Sequence, residues 1–178
     1  MQLARLLRAA VLVLASAALA PPLAAHAPPG RVKDETITLS GLQGPARVLR
    51  DVDGMSHIYA FNEHDALFLQ GWVQAEDRLF QLDVLRRTAA GTLAELLGAG
   101  ALSSDVELRL IGLGRAAERS LGAASPALLA GLRAYADGVN AWVARHPLPA
   151  EYAALELTRF EPWRPLDSVL GHARGEDR

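Results

Sequence analysis

Residues 62–88 read NEHDALFLQGWVQAEDRLFQLDVLRRT, and the reading of this stretch decides the fold. At 100° per residue Phe68, Trp72, Ala75, Leu79 and Leu82 fall on one stripe, while Leu69, Val73, Phe80 and Val84 form a second stripe opposite. A helix apolar on two sides is normally buried inside something large, so a long helix covered on both faces is expected. Between the stripes lie Gln70, Gln74, Gln81, Asp77 and Arg78 on one side and Glu76, Asp83 and Arg87 on the other. Each strip is either a solvated face or a set of partners for neighbouring elements. Asn62 is placed to cap the first amides, Glu63 and Asp65 oppose the positive end of the macrodipole, and Arg86 and Arg87 sit at the negative end. Asp83 precedes those arginines by three and four residues, the spacing of an ion pair on one helix face.

The chain has 178 residues and a formal charge of -2, which allows one modest domain and excludes a basic footprint for nucleic acid. Its first 27 residues are read apart from the fold. Arg5 and Arg8 form a positive n-region, Ala9 to Ala20 an apolar run, and Ala25-His26-Ala27 a small-x-small cleavage site. This predicts a signal peptide over 1–27 and a periplasmic or secreted protein that meets the membrane only through that peptide. Pro28 fits poorly after a cut, and an uncleaved anchor is the competing reading. The leader has no twin arginine. The chain has no cysteine, so neither lipid attachment nor a disulfide is available, and stability must come from core burial or a covering partner.

Residues 28–45 read as a linker and a short strand, Thr36-Ile37-Thr38-Leu39, followed by a turn at Gly41, Gly44 and Pro45. Ala46 to Arg50 and Met55 to Ala60 predict a hairpin whose Asp51-Val52-Asp53-Gly54 loop supplies a positive φ. A hairpin by itself is marginal, so its strands are expected to join a larger sheet. Gly91 ends the long helix, and Thr92 with Glu95 predicts a capping box on a short helix stopped at Gly98. A further helix is expected from Asp105 to about Ser120, capped by Ser103 or Ser104, with Val106, Leu110 and Leu113 on its buried side. Ser125-Pro126 opens another, with Leu128, Leu132, Tyr135, Val139 and Trp142 inward and Gly138 permitting close backbone packing, and His146-Pro147 ends it. Pro149 to Leu157 predicts a short helix. Asp167 looks like the cap of a last one, whose apolar pattern stops at once in the charged residues 172–178.

The side chains themselves assign no catalytic, substrate-binding or metal residue. His57 and His64 stand on different elements, and His146 and His172 lack a ligand-spaced partner. His57, on the second hairpin strand, reads as a buried hydrogen-bonding histidine. Glu76, Asp77 and Asp83, with Arg78, Arg86 and Arg87 near them, read as an ion network, not as paired acid and base.

Val48-Leu49-Arg50-Asp51 with Gly54-Met55-Ser56-His57-Ile58-Tyr59-Ala60, then Gln70-Gly71-Trp72-Val73-Gln74-Ala75-Glu76-Asp77-Arg78-Leu79-Phe80-Gln81, resemble the start of the α chain of the penicillin acylase (penicillin amidase) family. Arg86-Arg87 with Gly91-Thr92-Leu93-Ala94-Glu95-Leu96-Leu97-Gly98, Tyr135-Ala136-Asp137-Gly138-Val139-Asn140-Ala141-Trp142, and Glu161-Pro162-Trp163-Arg164-Pro165 with Asp167-Ser168 continue it in order over about residues 46 to 170. Ser56 stands where the family usually has proline, and Glu76 where it usually has glutamine.

The resemblance implies an α+β fold, mostly helical in this piece, in which the hairpin and helices form part of a four-layer αββα N-terminal nucleophile hydrolase. It also implies an exported zymogen that cuts itself into α and β chains. The nucleophile would be the serine freed at the start of the β chain, its own α-amino group, with an unperturbed pKa near ~8, acting as base. Residues 46–171 correspond to the N-terminal region of the α chain and carry neither that serine nor the acyl-pocket residues, so no catalytic residue is carried over. The chain is expected to be an inactive piece of a hydrolase of linear amides, such as acylated β-lactams or acyl-homoserine lactones. Its partners would be the remainder of the α chain and the β chain of the same precursor. No cofactor is expected in this chain, and calcium is left open for the complete enzyme. A non-catalytic exported helical interaction protein is the alternative.

Overall fold

The computed structural model describes residues 37–172. The expected signal peptide, its cleavage site, the residues up to Thr36 and the tail from 173 lie outside the described residues.

The hairpin forms where alternation places it, with β1 (Arg47–Arg50) antiparallel to β2 (Ser56–Tyr59). Asp51 organises the loop: its carboxylate accepts from Asp53 N at 3.0 Å and Met55 N at 2.9 Å, and Gly54 takes φ +80°. Asp51 N donates to Met55 O at 3.0 Å, which marks 51 and 55 as a hydrogen-bonded pair. Alternation along an antiparallel ladder makes Arg50 and Ser56 a non-hydrogen-bonded pair, with their amides pointing away from the partner strand. The strand expected at 36–39 is not formed over its described residues. The chain turns at Ser40 and Gly41, and the amides of Gln43 and Gly44 go to the buried Asp65 carboxylate at 2.8 and 2.9 Å.

Helix α1 (Glu63–Ala90) is the long helix. Asn62 Oδ1 accepts from Asp65 N at 2.7 Å at its start, and Gly91 closes it at φ +69°. Both apolar stripes are covered: Phe68, Leu69, Trp72, Val73, Ala75 and Leu79 are buried, and Phe80 and Leu82 pack against them. The helix is not continuous, because Arg78 leaves helical geometry at φ -155°, ψ 37° with no proline or glycine beside it.

After it come α2 (Ala94–Leu97), a 3-10 turn (Ala99–Ala101), α3 (Leu102–Ile111), α4 (Leu113–Gly122), α5 (Pro126–Val143), α6 (Ala150–Ala154) and α7 (Pro165–His172). The principal packing is α1 on α5, and two glycines set its closeness. A Cβ on Gly138 would collide with the carbonyl oxygen of Phe68, and one on Gly71 with that of Tyr135.

Four local expectations are corrected. The Thr92–Glu95 capping box is absent: the Asp105 carboxylate takes the amides of Leu93 and Ala94, both at 2.8 Å, while Glu95 pairs with Arg87 Nη1 at 2.7 Å. The single helix from 105 to about 120 is two, split where Gly112 adopts φ +85°. Its expected buried residues Val106 and Leu110 are 57% and 77% exposed, because α3 is anchored through Asp105 and Arg109 instead. Asp167 is the third residue of α7, not its cap, and its carboxylate reaches back to Arg164 N at 2.8 Å, one half of a capping box. That helix continues to His172, past the point where its apolar pattern stops.

Candidate functional site

The densest polar convergence lies where the end of α1 meets α6 and the approach to α7. Asp83 is fully buried and sits on the inner side of α1. Its Oδ1 accepts from Arg86 Nε at 2.8 Å and Arg87 Nε at 2.9 Å, and its Oδ2 from Tyr152 Oη at 2.8 Å. Arg86 then spans to the other side. Its Nη2 donates to Glu161 O at 2.8 Å and its Nη1 to Asp167 Oδ2 at 3.3 Å, while the rings of Phe160 and Trp163 lie 4.5 and 5.0 Å from the guanidinium carbon. Asn140 on α5 pairs with the Trp163 backbone as a strand would, accepting from its amide at 2.8 Å and donating to its carbonyl at 2.9 Å. Trp163 Nε1 donates to Ser168 Oγ at 2.9 Å.

A groove of about 430 Å³ opens beside this cluster, lined in part by Arg86, Arg87, Thr92, Glu95, Arg164 and Asp167. Each of its arginines faces a carboxylate, so the groove pairs its charges internally. Burial, with the adjacent Asp83 charge, pushes the Tyr152 phenol well above its usual range, which keeps it a hydrogen-bond donor and not a base. The arrangement can hold three elements together.

The other residues singled out in the sequence behave alike. Glu76 and Asp77 both meet Arg50 Nη2, at 2.5 and 2.8 Å, and so tie the hairpin to α1; they do not form an acid–base couple with each other. His57 is exposed, not buried, because the register turns it to the open face of the hairpin, where its Nε2 meets Asp51 Oδ2 at 2.9 Å. That contact, with the amide of Met55, holds the Asp51 carboxyl below its usual range. His64 stands against Asp65, His146 stacks on Trp142, and Asp83 is the ion-network centre expected of it. Among the described residues no group of three or more His, Asp or Glu side chains is placed to hold a metal ion. Tyr152, Asp105 and Asn140 were not legible as partners, since each acts across a separation that no local pattern encodes.

The contacts also join segments that are distant in sequence: Gly71 with Tyr135, Asn140 with Trp163, and Arg86 with Glu161 and Asp167. These are the segments that carry the resemblance described above, and residues 45–173 match the Penicillin amidase family. The chain belongs to the penicillin amidase family. It is 42% identical over 135 residues to a penicillin acylase 2 proenzyme of Pseudomonas sp., covering 75% of this chain and 17% of that protein. Identity is 42% over 134 residues to an acyl-homoserine lactone acylase of Pseudomonas aeruginosa, covering 74% and 16%. Among solved structures, a thermostable penicillin G acylase from Alcaligenes faecalis aligns with a TM-score of 0.67 and 32% identity, covering 74% of this chain and 72% of that one. The described residues thus form part of the α+β N-terminal nucleophile hydrolase fold that the resemblance implied. The chain spans about a sixth of the length of the curated penicillin amidase relatives it matches.

Proposed function

We infer that this chain is the N-terminal part of the α chain of an exported amidohydrolase that releases an acyl group from a linear, non-peptide amide. The observation that carries this reading is the match over residues 45–173, shared with both penicillin acylases and acyl-homoserine lactone acylases. Those two named substrate classes have in common an acyl group on the nitrogen of a lactam- or lactone-bearing nucleus. The reaction would be acyl transfer to a serine at the start of the β chain and then to water, with oxyanion donors supplied there. The buried polar side chains where α1, α6 and the approach to α7 meet hold those elements together, so the role of this chain is scaffolding and it is inactive by itself. Calcium stays open for the complete enzyme. Export rests on the leader over 1–27. No helix among the described residues is long and apolar enough to cross a membrane.

The test is to read the coding sequence beyond Arg178 and express the complete precursor. Release of the acyl group from a penicillin or an acyl-homoserine lactone by the processed protein, with none by this chain, is expected. Hydrolysis by the isolated chain at a comparable rate would overturn the reading. The alternative, an interaction protein without catalysis, is favoured by the exposed aliphatic residues of α3 and predicts no second chain.

A further inference from the structure

The chain contains two Asp-Gly steps, Asp53-Gly54 and Asp137-Gly138, and the fold treats them oppositely. At such a step the glycine nitrogen can attack the side-chain carboxyl carbon of the aspartate, because glycine brings no side chain into the path. Asp137 and Gly138 lie inside α5, where the Gly138 amide belongs to the helical ladder and a Cβ on that glycine would collide with the Phe68 carbonyl. Asp53 and Gly54 lie in the exposed hairpin loop. Among the described residues nothing pairs with the Asp53 carboxylate, and apart from chain neighbours no atom stands within 4 Å of where a Gly54 Cβ would be. The restraint comes from Asp51. Its carbonyl accepts from Gly54 N at 3.0 Å, its carboxylate accepts from Asp53 N and Met55 N, and His57 Nε2 meets the other carboxylate oxygen. An exposed loop tied by a few hydrogen bonds opens far more often than the middle of a buried helix.

We propose that Asp53 is a site of spontaneous isoaspartate formation and that the loop organised by Asp51 sets its rate. In the first step the Gly54 nitrogen bonds to Asp53 Cγ and gives up its proton, and the protonated carboxyl loses its hydroxyl. One water leaves and a succinimide ring closes. In the second step one water opens the ring. Attack at the former backbone carbonyl breaks its bond to the Gly54 nitrogen, leaves that carbon as a free carboxylate and routes the main chain through Cβ and Cγ. Composition is unchanged overall, and water is the only co-reactant. The product has one more main-chain carbon between residues 53 and 54. That extra length shifts Gly54 O relative to Arg50 Nη1, which it meets at 3.4 Å, and Arg50 is the residue that ties the hairpin to Glu76 and Asp77 on α1.

The second Asp-Gly step is an internal control of the same chemistry. The full chain would be incubated at neutral pH with and without urea, then mapped by mass spectrometry after digestion with an aspartate-directed protease, which does not cut at isoaspartate. In the folded chain isoaspartate is expected to accumulate at Asp53 about tenfold or more faster than at Asp137, and in urea the two rates should converge to within about twofold. Asp51→Ala removes the carboxylate that gathers the loop amides and should speed the reaction at Asp53 by about three- to tenfold while leaving Asp137 unchanged. Equally slow rates at both positions in the folded chain overturn the site. An excess at Asp53 that persists in urea also overturns it, because neighbouring sequence and not the fold would then set the rate. An unchanged rate in Asp51→Ala overturns the part given to the loop. If that variant unfolds, equal rates at the two positions reveal it, and His57→Ala, which removes a partner of Asp51 but no amide bond, takes its place with a smaller acceleration expected.

Discussion

Tyr152 Oη donates to Asp83 Oδ2 at 2.8 Å across 69 residues of sequence, and this bond completes the shell of a carboxylate that already accepts from two arginines. A buried charge that loses its partner costs far more than the pair contributes. Asp83→Ala leaves the buried Arg86 with Asp167 as its carboxylate partner and is expected to lower stability by about 3–5 kcal/mol. Tyr152→Phe removes one donor only and should cost about 1–2 kcal/mol. Urea midpoints at unchanged slope would show the order; a larger loss for Tyr152→Phe would mean that Asp83 is not the centre of the cluster.

Alkaline pH should loosen the same region. Burial pushes the Tyr135 phenol up to about 12, and Tyr152 is shifted in the same direction by burial and Asp83. A raised folded pKa means that the folded chain holds its proton while the unfolded chain releases it above about 10. Stability is then complete below pH 10 and falls as pH rises toward the folded values, by at most about 1.4 kcal/mol per pH unit for each tyrosine. Tyr135→Phe should flatten part of that slope in denaturation series between about pH 9 and 12. An unchanged slope would remove Tyr135 from the account.

The crossing of α1 and α5 depends on two missing side chains. Gly138→Ala drives a methyl group into the Phe68 carbonyl, and Gly71→Ala drives one into that of Tyr135. Backbone cannot swing aside as a side chain does, so each should cost about 3 kcal/mol or more despite the better helix propensity of alanine. Gly114→Ala, with open space around its Cβ, is the control and should be neutral or slightly stabilising. Thermal melts of the three variants compare them directly.

Ser56 stands where the resemblance implies proline, and the structure shows what the serine leaves. Its Oγ is buried without a hydrogen-bond partner, and its amide points away from β1. Proline there would lose no ladder bond and would remove the orphan hydroxyl, so Ser56→Pro is expected to stabilise by about 1 kcal/mol. A loss of stability would show that the amide does have a partner.

The other departure lies on the same contact. Glu76 and Asp77 share Arg50, the residue opposite Ser56. These groups are about half exposed, so Glu76→Gln should cost less than about 1 kcal/mol and reduce the salt sensitivity of the hairpin. Denaturation at low and high salt would measure both.

Most elements were legible in the sequence because their causes are local. Alternation produced the hairpin, two apolar stripes produced α1, and Asn62, Gly91, Ser125 and Pro126 marked helix ends that the structure keeps. Several of the errors share one cause. Asp105 was drawn to α2 and Glu95 to Arg87, which undid the capping box at Thr92 and left Val106 outward. His57 was read as buried because strand alternation does not say which face meets the core.

The sequence by itself determined most of the elements, the ion-pair spacing of Asp83 with Arg86 and Arg87, and the family, because periodicity, capping and ordered motifs are properties of neighbouring residues. The tertiary structure decided that Asp83 meets Tyr152, that Arg86 binds the approach to α7, and that α3 turns its aliphatic ridge outward. Those outcomes depend on which long-range hydrogen bonds satisfy buried charges, and a buried charge is satisfied by whatever the fold brings to it.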